Sequence, residues 1–328
     1  MKPFHYTRAR NLADVTALTA EKDVVAIAGG TNLLDLMKLQ VETPEGLADI
    51  GRMGFTEIVD TDEGGLSLGA LATNTAVAIH PRVRSDYPVL ARAILAGATQ
   101  QLRNKATTGG NLCQRTRCFY FTNIDQPCNK REPGSGCGAV DGIAKLHAVL
   151  GTSPHCIATY PGDMAVALSA LDAKVHIAGS EGSMRMVPVR DFHCLPDDTP
   201  WRDNVLEDGE VITSVTLPAP PRGQQIYRKV RERSSYAFAL VSVAAVIDIR
   251  DGRFASVDLA FGGLAHKPWH DARLAEALIG SEPSPEIFDR AADILLENAR
   301  GYGENDFKIP LARRTLHAVL EQAAEMGK

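Results

Sequence analysis

The chain has 328 residues, of which 45% are hydrophobic and 23% charged, and a formal net charge of −5. This is ordinary globular composition with enough apolar side chains for a sizeable core, and the length fits two or three domains. The mild acidity excludes a basic nucleic-acid-binding field, no apolar run is long enough for a transmembrane helix, and residues 1–6 lack the apolar stretch of a secretion signal.

Residues 23–28 read as a short apolar strand and Ala28-Gly29-Gly30-Thr31-Asn32 as a turn. Leu33, Leu36, Met37 and Leu39 then recur at helical spacing, so the glycines lie between a strand and a helix. Short strands are predicted at 47–50, 57–59 and 66–68, and helices at 74–79 and 87–98. Residues 103–160 differ: they are rich in Gly, Asn, Thr, Pro and Cys and show little periodicity. A loop of that length inside a domain points to function or disorder, and its clustered thiols favour function. A helix at 163–171 and strands at 174–177 and 184–187 complete a first unit, residues 1–190. Pro196-Asp197-Asp198-Thr199-Pro200 marks a loop near the boundary. The second unit, residues 191–328, has strand-like runs at 211–217, 225–230, 239–249 and 256–261, with Asp251-Gly252 as a hairpin turn. Helices at 272–278, 285–299 and 311–326 follow, and the expected class is α+β.

Two glycine motifs point to an anionic ligand. In Ala28-Gly29-Gly30-Thr31-Asn32-Leu33, successive backbone N–H groups at a helix start can form an anion nest, and the glycines let a diphosphate approach the backbone. A plain strand-to-helix turn fits the same residues, because the pattern is not the G-x-G-x-x-G fingerprint. Ala106-Thr107-Thr108-Gly109-Gly110-Asn111-Leu112 adds hydroxyl and amide donors beside two more glycines; a surface turn is its plainer reading. Two such turns could clamp one extended ligand from two sides.

Cys113, Cys118, Cys128, Cys137 and Cys156 fall within 44 residues, and only Cys194 lies outside. Such clustering points to a metal site or to disulfides. Four thiolates suit a 4Fe-4S cluster, whereas zinc more often takes close Cys pairs, a spacing found only at Cys113 and Cys118. His147 and His155 precede Cys156, but each reads more simply as a packed or surface histidine. No Ser-His-Asp, His-Glu-x-x-His or paired-carboxylate arrangement stands out, so no catalytic residue is predicted.

The two glycine motifs together resemble the FAD-binding subunit of the molybdenum hydroxylases, which include xanthine dehydrogenase, carbon monoxide dehydrogenase and 4-hydroxybenzoyl-CoA reductase. Tyr227-Arg228-Lys229-Val230, followed by Ala239-Leu240-Val241-Ser242-Val243-Ala244, resembles the family's lysine-containing strand. Gly262-Gly263-Leu264-Ala265-His266-Lys267-Pro268 resembles its Gly-Gly turn, so the likeness covers most of the chain. Within the family the chain resembles above all the flavin subunit of periplasmic aldehyde oxidoreductases. The implied fold is a two-subdomain FAD-binding domain followed by a sheet backed by helices.

The resemblance implies roles. Ala26, Ile27, Ala28, Gly29, Gly30, Thr31, Asn32 and Leu33 would bind the FAD pyrophosphate. Thr107, Thr108, Gly109, Gly110 and Asn111 would bind phosphate, ribityl and ring edge. Asp163 would contact hydroxyl groups of the cofactor, Lys229 would lie near the flavin ring, where a cation can stabilise the reduced, anionic flavin, and Ile212 would add a backbone or packing contact. Read alone, Asp163 could equally be a helix cap and Lys229 an exposed strand lysine. In most of the family the second glycine motif leads directly to this aspartate, but here 51 residues separate Asn111 from Asp163. Related subunits carry a 4Fe-4S cluster in that insertion, which spans about 113–160, and the resemblance makes Cys118, Cys128, Cys137 and Cys156 its ligands. Cys113 is then surplus and Cys194 structural. Arg115, Arg117, Lys130 and Arg131 could offset cluster charge.

The implied partners are a small subunit with 2Fe-2S clusters and a large molybdenum-cofactor subunit in a heterotrimer. The large subunit would oxidise an aldehyde or N-heterocycle, and electrons would pass through FAD to an external acceptor. Co-export with a signal-bearing partner would place the complex in the periplasm, the cytoplasm being the alternative. One departure is Ala237, where the family often has aspartate, and no nicotinamide site is evident. The rival readings are a self-sufficient flavoprotein oxidase and a non-enzymatic metal-binding protein.

Overall fold

Strand His5–Arg8 has four exposed residues and no apolar alternation, so its sequence carries no strand signal. It forms because it pairs in parallel with Gly46–Asp49, whose other edge takes Val24–Ile27. The crossovers are helices Leu12–Ala20 and Leu33–Lys38, as parallel pairing requires. Asn11 starts the first of them by accepting the Asp14 N–H. The turn at residues 28–32 therefore lies at the C-terminal end of a parallel strand, where ligands bind in open α/β sheets.

A second sheet is antiparallel, in the order Ile58–Asp60, Leu66–Gly69, Val211–Leu217, Lys174–Ala178, Met184–Pro188. Val211–Leu217 thus enters the middle of this sheet after the loop around residues 196–200. Leu66, Leu68, Val175, Ile177, Val215 and Leu217 cover one face and pack on helices Asn74–Ile79, Pro88–Ala96 and Asp163–Ala170.

The third sheet places Val241–Arg250 between Gln224–Val230 and Arg253–Gly262. Its hairpin turns at Asp251 and Gly252, whose φ values of +51° and +74° suit a two-residue turn with both residues left-handed. Ala244, Val246 and Ala260 face the first core. Val243, Ala245, Ile247 and Phe261 face a second core formed with helices Ala272–Leu278, Pro285–Leu296 and Lys308–Met326. Both faces are dry, so the sequence reads as an unbroken apolar run rather than an alternation. Mixed sheets and helices agree with the α+β class, and no helix is long and apolar enough to cross a membrane among the described residues, 1–327.

Residues 113–160 contain only one short helix, Phe119–Thr122, and are ordered by side chains bonded to backbone. Asn129 Oδ1 accepts the Gly134 and Gly136 N–H groups, and its Nδ2 donates to His155 O. Arg131 donates to the Tyr120 and Phe121 carbonyls. Val149 and Leu150 both donate to Leu264 O at 2.9 Å, and Tyr160 N–H reaches Ala265 O at 3.0 Å. The segment is therefore strapped to the Gly-Gly turn of the second half.

Candidate functional site

Ala26, Ile27, Ala28, Gly29, Gly30, Thr31, Asn32 and Leu33 all line one cavity of about 240 Å³. Thr107 and Gly110 of the second motif line it too, with Cys113 and Arg115. The first turn is tied to the segment that follows the second motif, because Arg115 N–H donates to Asn32 Oδ1 at 2.8 Å. It also touches the residue before that motif: a Cβ on Gly29 would lie 1.9 Å from the Lys105 carbonyl oxygen. Among the described residues, the N–H groups of Gly29, Gly30, Thr31, Asn32 and Leu33 have no acceptor. Five consecutive orphan donors are costly unless an anion or water takes them.

The second motif is more structural than its composition suggests. Thr108 and Gly109 are buried, and their N–H groups donate to Ala72 O at 2.9 Å and Ala70 O at 2.8 Å. Gly109 sits against Ile212, whose Cβ would be 3.5 Å from an added methyl. Thr107 Oγ1 accepts the Gly110 N–H at 3.3 Å, and Asn111 O accepts the Tyr160 hydroxyl at 2.9 Å. Thr108, Gly109 and Ile212 thus hold the floor beneath Thr107 and Gly110.

Residues 107–117 lead from this cavity to a second one of about 220 Å³, lined by Arg117, Tyr160, Asp163, Ala237, Phe238 and Gly262, among others. Asp163 is the first residue of its helix, not the cap; Gly162 occupies that position without a side-chain bond. The Asp163 carboxylate instead pairs with Lys229 at 2.8 Å and accepts the Tyr227 hydroxyl at 2.5 Å. Lys229 also donates to Ala96 O at 3.2 Å and does not line the cavity. It is not the exposed strand lysine that a local reading allows: only 4% of its side chain is accessible. Ala237, the departure from the family pattern, opens onto this cavity.

Cys118, Cys128, Cys137 and Cys156 line a third, small cavity together with Lys130 and His147. Cys128 and Cys137 face each other across an antiparallel bridge, and all six cysteines are free thiols. Cys118 Sγ lies 3.1 Å from His147 Nε2, and both residues also line the second cavity. Among the described residues, no three His, Cys, Asp or Glu side chains converge closely enough to hold a single metal ion. Burial pushes the Cys118 thiol up to about 12 and Cys156 to about 11, so a bound metal's charge would be needed to hold them as thiolates.

The cations of this loop have partners that sequence reasoning missed. Asp203 pairs with Arg115 at 2.7 Å and with the buried Lys130 at 2.6 Å. Burial raises its carboxyl, but Lys130 and Arg115 outweigh that effect and hold it well below the usual carboxylate range. Arg115 is bound to Glu42 as well. Arg115 and Lys130 therefore neutralise acids of this chain, and Arg131 is spent on carbonyls. No local motif announces Glu42, Tyr160 or Phe238, which the folded chain brings to these cavities, or Asp203, which it brings to the cations that line them.

Comparison with known proteins fits this geometry. The family described as "FAD binding domain in molybdopterin dehydrogenase" matches residues 2–220, and "CO dehydrogenase flavoprotein C-terminal domain" matches residues 225–323. The chain is 52% identical to the aldehyde oxidoreductase FAD-binding subunit PaoB of Escherichia coli, over 98% of this chain and 99% of that one. It is 26% identical to the glyceraldehyde dehydrogenase medium chain of Sulfolobus acidocaldarius, over 87% of this chain and 84% of that one. Quinoline 2-oxidoreductase from Pseudomonas putida superposes with a TM-score of 0.75 at 25% identity, over 100% of this chain and 99% of the other. The chain belongs to the FAD-binding flavoprotein family of the molybdopterin dehydrogenases.

Proposed function

We propose that this chain is the electron-transfer subunit of a molybdenum-containing aldehyde oxidoreductase complex, with FAD spanning the first two cavities and a 4Fe-4S cluster in the third. The observation that carries the flavin assignment is the row of five unpaired N–H groups, from Gly29 to Leu33, facing the second glycine motif across one cavity. Those donors suit a diphosphate; Gly29 lets the turn lie against the Lys105 carbonyl, and Gly30 adopts a left-handed φ of +71°. Thr107 and Gly110 close the opposite wall, while Thr108, Gly109, Asn111 and Ile212 brace it. Asp163, oriented by Lys229 and Tyr227, presents a carboxylate to the second cavity, where it can accept from ribityl hydroxyls. The flavin supplies the redox chemistry, and the protein supplies position and electrostatics.

Cys118, Cys128, Cys137 and Cys156 surround one cavity but do not converge on one point. A tetrahedral zinc site would hold its sulfurs about 4 Å apart, given Zn–S bonds of about 2.3 Å. A four-iron cluster instead binds each thiolate to a different iron and sets them farther apart. The partners in this reading are a 2Fe-2S small subunit and a molybdenum-cofactor large subunit that oxidises the aldehyde. Electrons pass from the 2Fe-2S clusters through this chain to an external acceptor. Similarity to the PaoB subunit favours the aldehyde reading over a self-sufficient oxidase or a non-enzymatic metal protein. Periplasmic location, by export with a signal-bearing partner, belongs to the same proposal.

The test is an absorption and electron paramagnetic resonance spectrum of the anaerobically purified chain, with flavin and iron quantified. Equimolar FAD and a reducible iron–sulfur signal are expected. A colourless protein would end the proposal. The substitution Cys128→Ser should abolish the iron signal, and iron equal to wild type would remove the cluster from the reading.

A further inference from the structure

We propose that Arg117, rather than Lys229, is the cation that tunes the flavin ring. Lys229 is locked at 2.8 Å to Asp163, so that pair presents no net charge. Glu232, the other carboxylate lining the second cavity, is paired with Lys145 at 2.5 Å. Among the described residues, Arg117 forms no ion pair: its guanidinium donates to the Arg115 carbonyl at 3.3 Å and lies 5.5 Å from the centre of the Phe238 ring. Asp35 attracts it only from beyond ion-pair distance, so Arg117 is the unpaired cation of the cavity wall. A guanidinium cannot be deprotonated in proteins, so burial leaves it charged and short of an anion.

The direction of the ligand follows from the chain. With a diphosphate on the orphan N–H groups of the first turn, residues 107–117 lead to the cavity that holds Asp163 and Arg117. This inference rests on the reading of that cavity as the flavin-ring site. When two electrons and one proton enter an isoalloxazine ring, the ring gains one negative charge. A fixed cation beside it stabilises that form over the oxidised one and raises the midpoint potential. Arg117 performs this electrostatic task, and Lys229 orients Asp163.

The experiment is a spectroelectrochemical titration of the full-length chain, followed at the flavin absorbance, for wild type, Arg117→Met and Arg117→Lys. Arg117→Met should retain flavin and show a lower flavin midpoint potential, with Arg117→Lys restoring part of the shift. A wild-type midpoint in flavin-loaded Arg117→Met overturns the proposal. If Arg117→Met emerges without flavin, the lysine variant decides: flavin-loaded protein with a near-native midpoint supports the role of charge, and a flavin-free protein overturns it. Wild-type chain without bound flavin would instead defeat the flavin reading of the cavity, and this inference with it.

Discussion

At Gly29 a single hydrogen is the only side chain that fits. A methyl group would meet the Lys105 carbonyl at 1.9 Å, and that carbonyl belongs to the segment carrying the second glycine motif. Gly29→Ala must therefore push the two turns apart, and overpacking of this kind costs about 1–3 kcal/mol. The expected result is a folded protein with a small fraction of the wild-type flavin content, read from the ratio of flavin to protein absorbance. A wild-type ratio would show that contact between the turns is dispensable. Lys229 supports a second prediction. Its side chain and that of Asp163 are 4% and 8% accessible, so removing one partner leaves a buried charge. Lys229→Met should cost about 3–5 kcal/mol in denaturant unfolding, and adding Asp163→Asn should recover part of that loss. Additive losses in the double variant would argue against the coupling.

The element that joins the cavities is the loop that carries Asp203, between helix Val189–Phe192 and strand Val211–Leu217 of the second sheet. One carboxylate holds Arg115 beside the first cavity and Lys130 beside the cysteines. The Lys130 side chain is 1% accessible, so Asp203→Asn strands an ammonium group in a dry site. A loss of about 3–5 kcal/mol is expected, with faster proteolytic cleavage in the cysteine-rich loop than in the rest of the chain. Cleavage at the wild-type rate would mean that the hydrogen bonds of Asn129 and Arg131 order the loop unaided. Either way, this insertion lacks a large apolar core, and its order comes from polar side chains bonded to backbone.

At the scale of the whole molecule, two cores share the third sheet, and buried histidines make the fold sensitive to acid. Burial lowers His193 and His266 to about 4 each. In the unfolded chain their imidazoles titrate near 6.5. Between those values the unfolded state binds protons that the native state does not. Stability should therefore fall as pH drops from about 6.5 toward 4, by up to about 1.4 kcal/mol per pH unit for each histidine. Above about 6.5 these groups contribute no slope. Urea midpoints across that range check the prediction, and His193→Gln should flatten the curve; an equally steep fall in the variant would exclude His193 as a source.

Local signals were legible in the sequence because they are written in neighbouring residues. Helices Asn74–Ile79 and Ala272–Leu278 and strand Val211–Leu217 fall where periodicity puts them, and the Asp251-Gly252 turn where composition does. The two glycine motifs and the cysteine cluster were visible for the same reason. Strand His5–Arg8 was not, since only pairing with Gly46–Asp49 makes it a strand. Sequence alone thus determined which segments could bind an anion or a metal. Only the tertiary structure decided that Thr108 and Gly109 spend their N–H groups on Ala72 and Ala70, and that Arg115 meets Asp203 across 88 residues. Likewise, Lys229 is neutralised by Asp163 across 66 residues, while Arg117 meets a carbonyl and no carboxylate among the described residues. Which donors and charges remain free depends on partners distant in the chain, and only sheet pairing and packing bring those partners together.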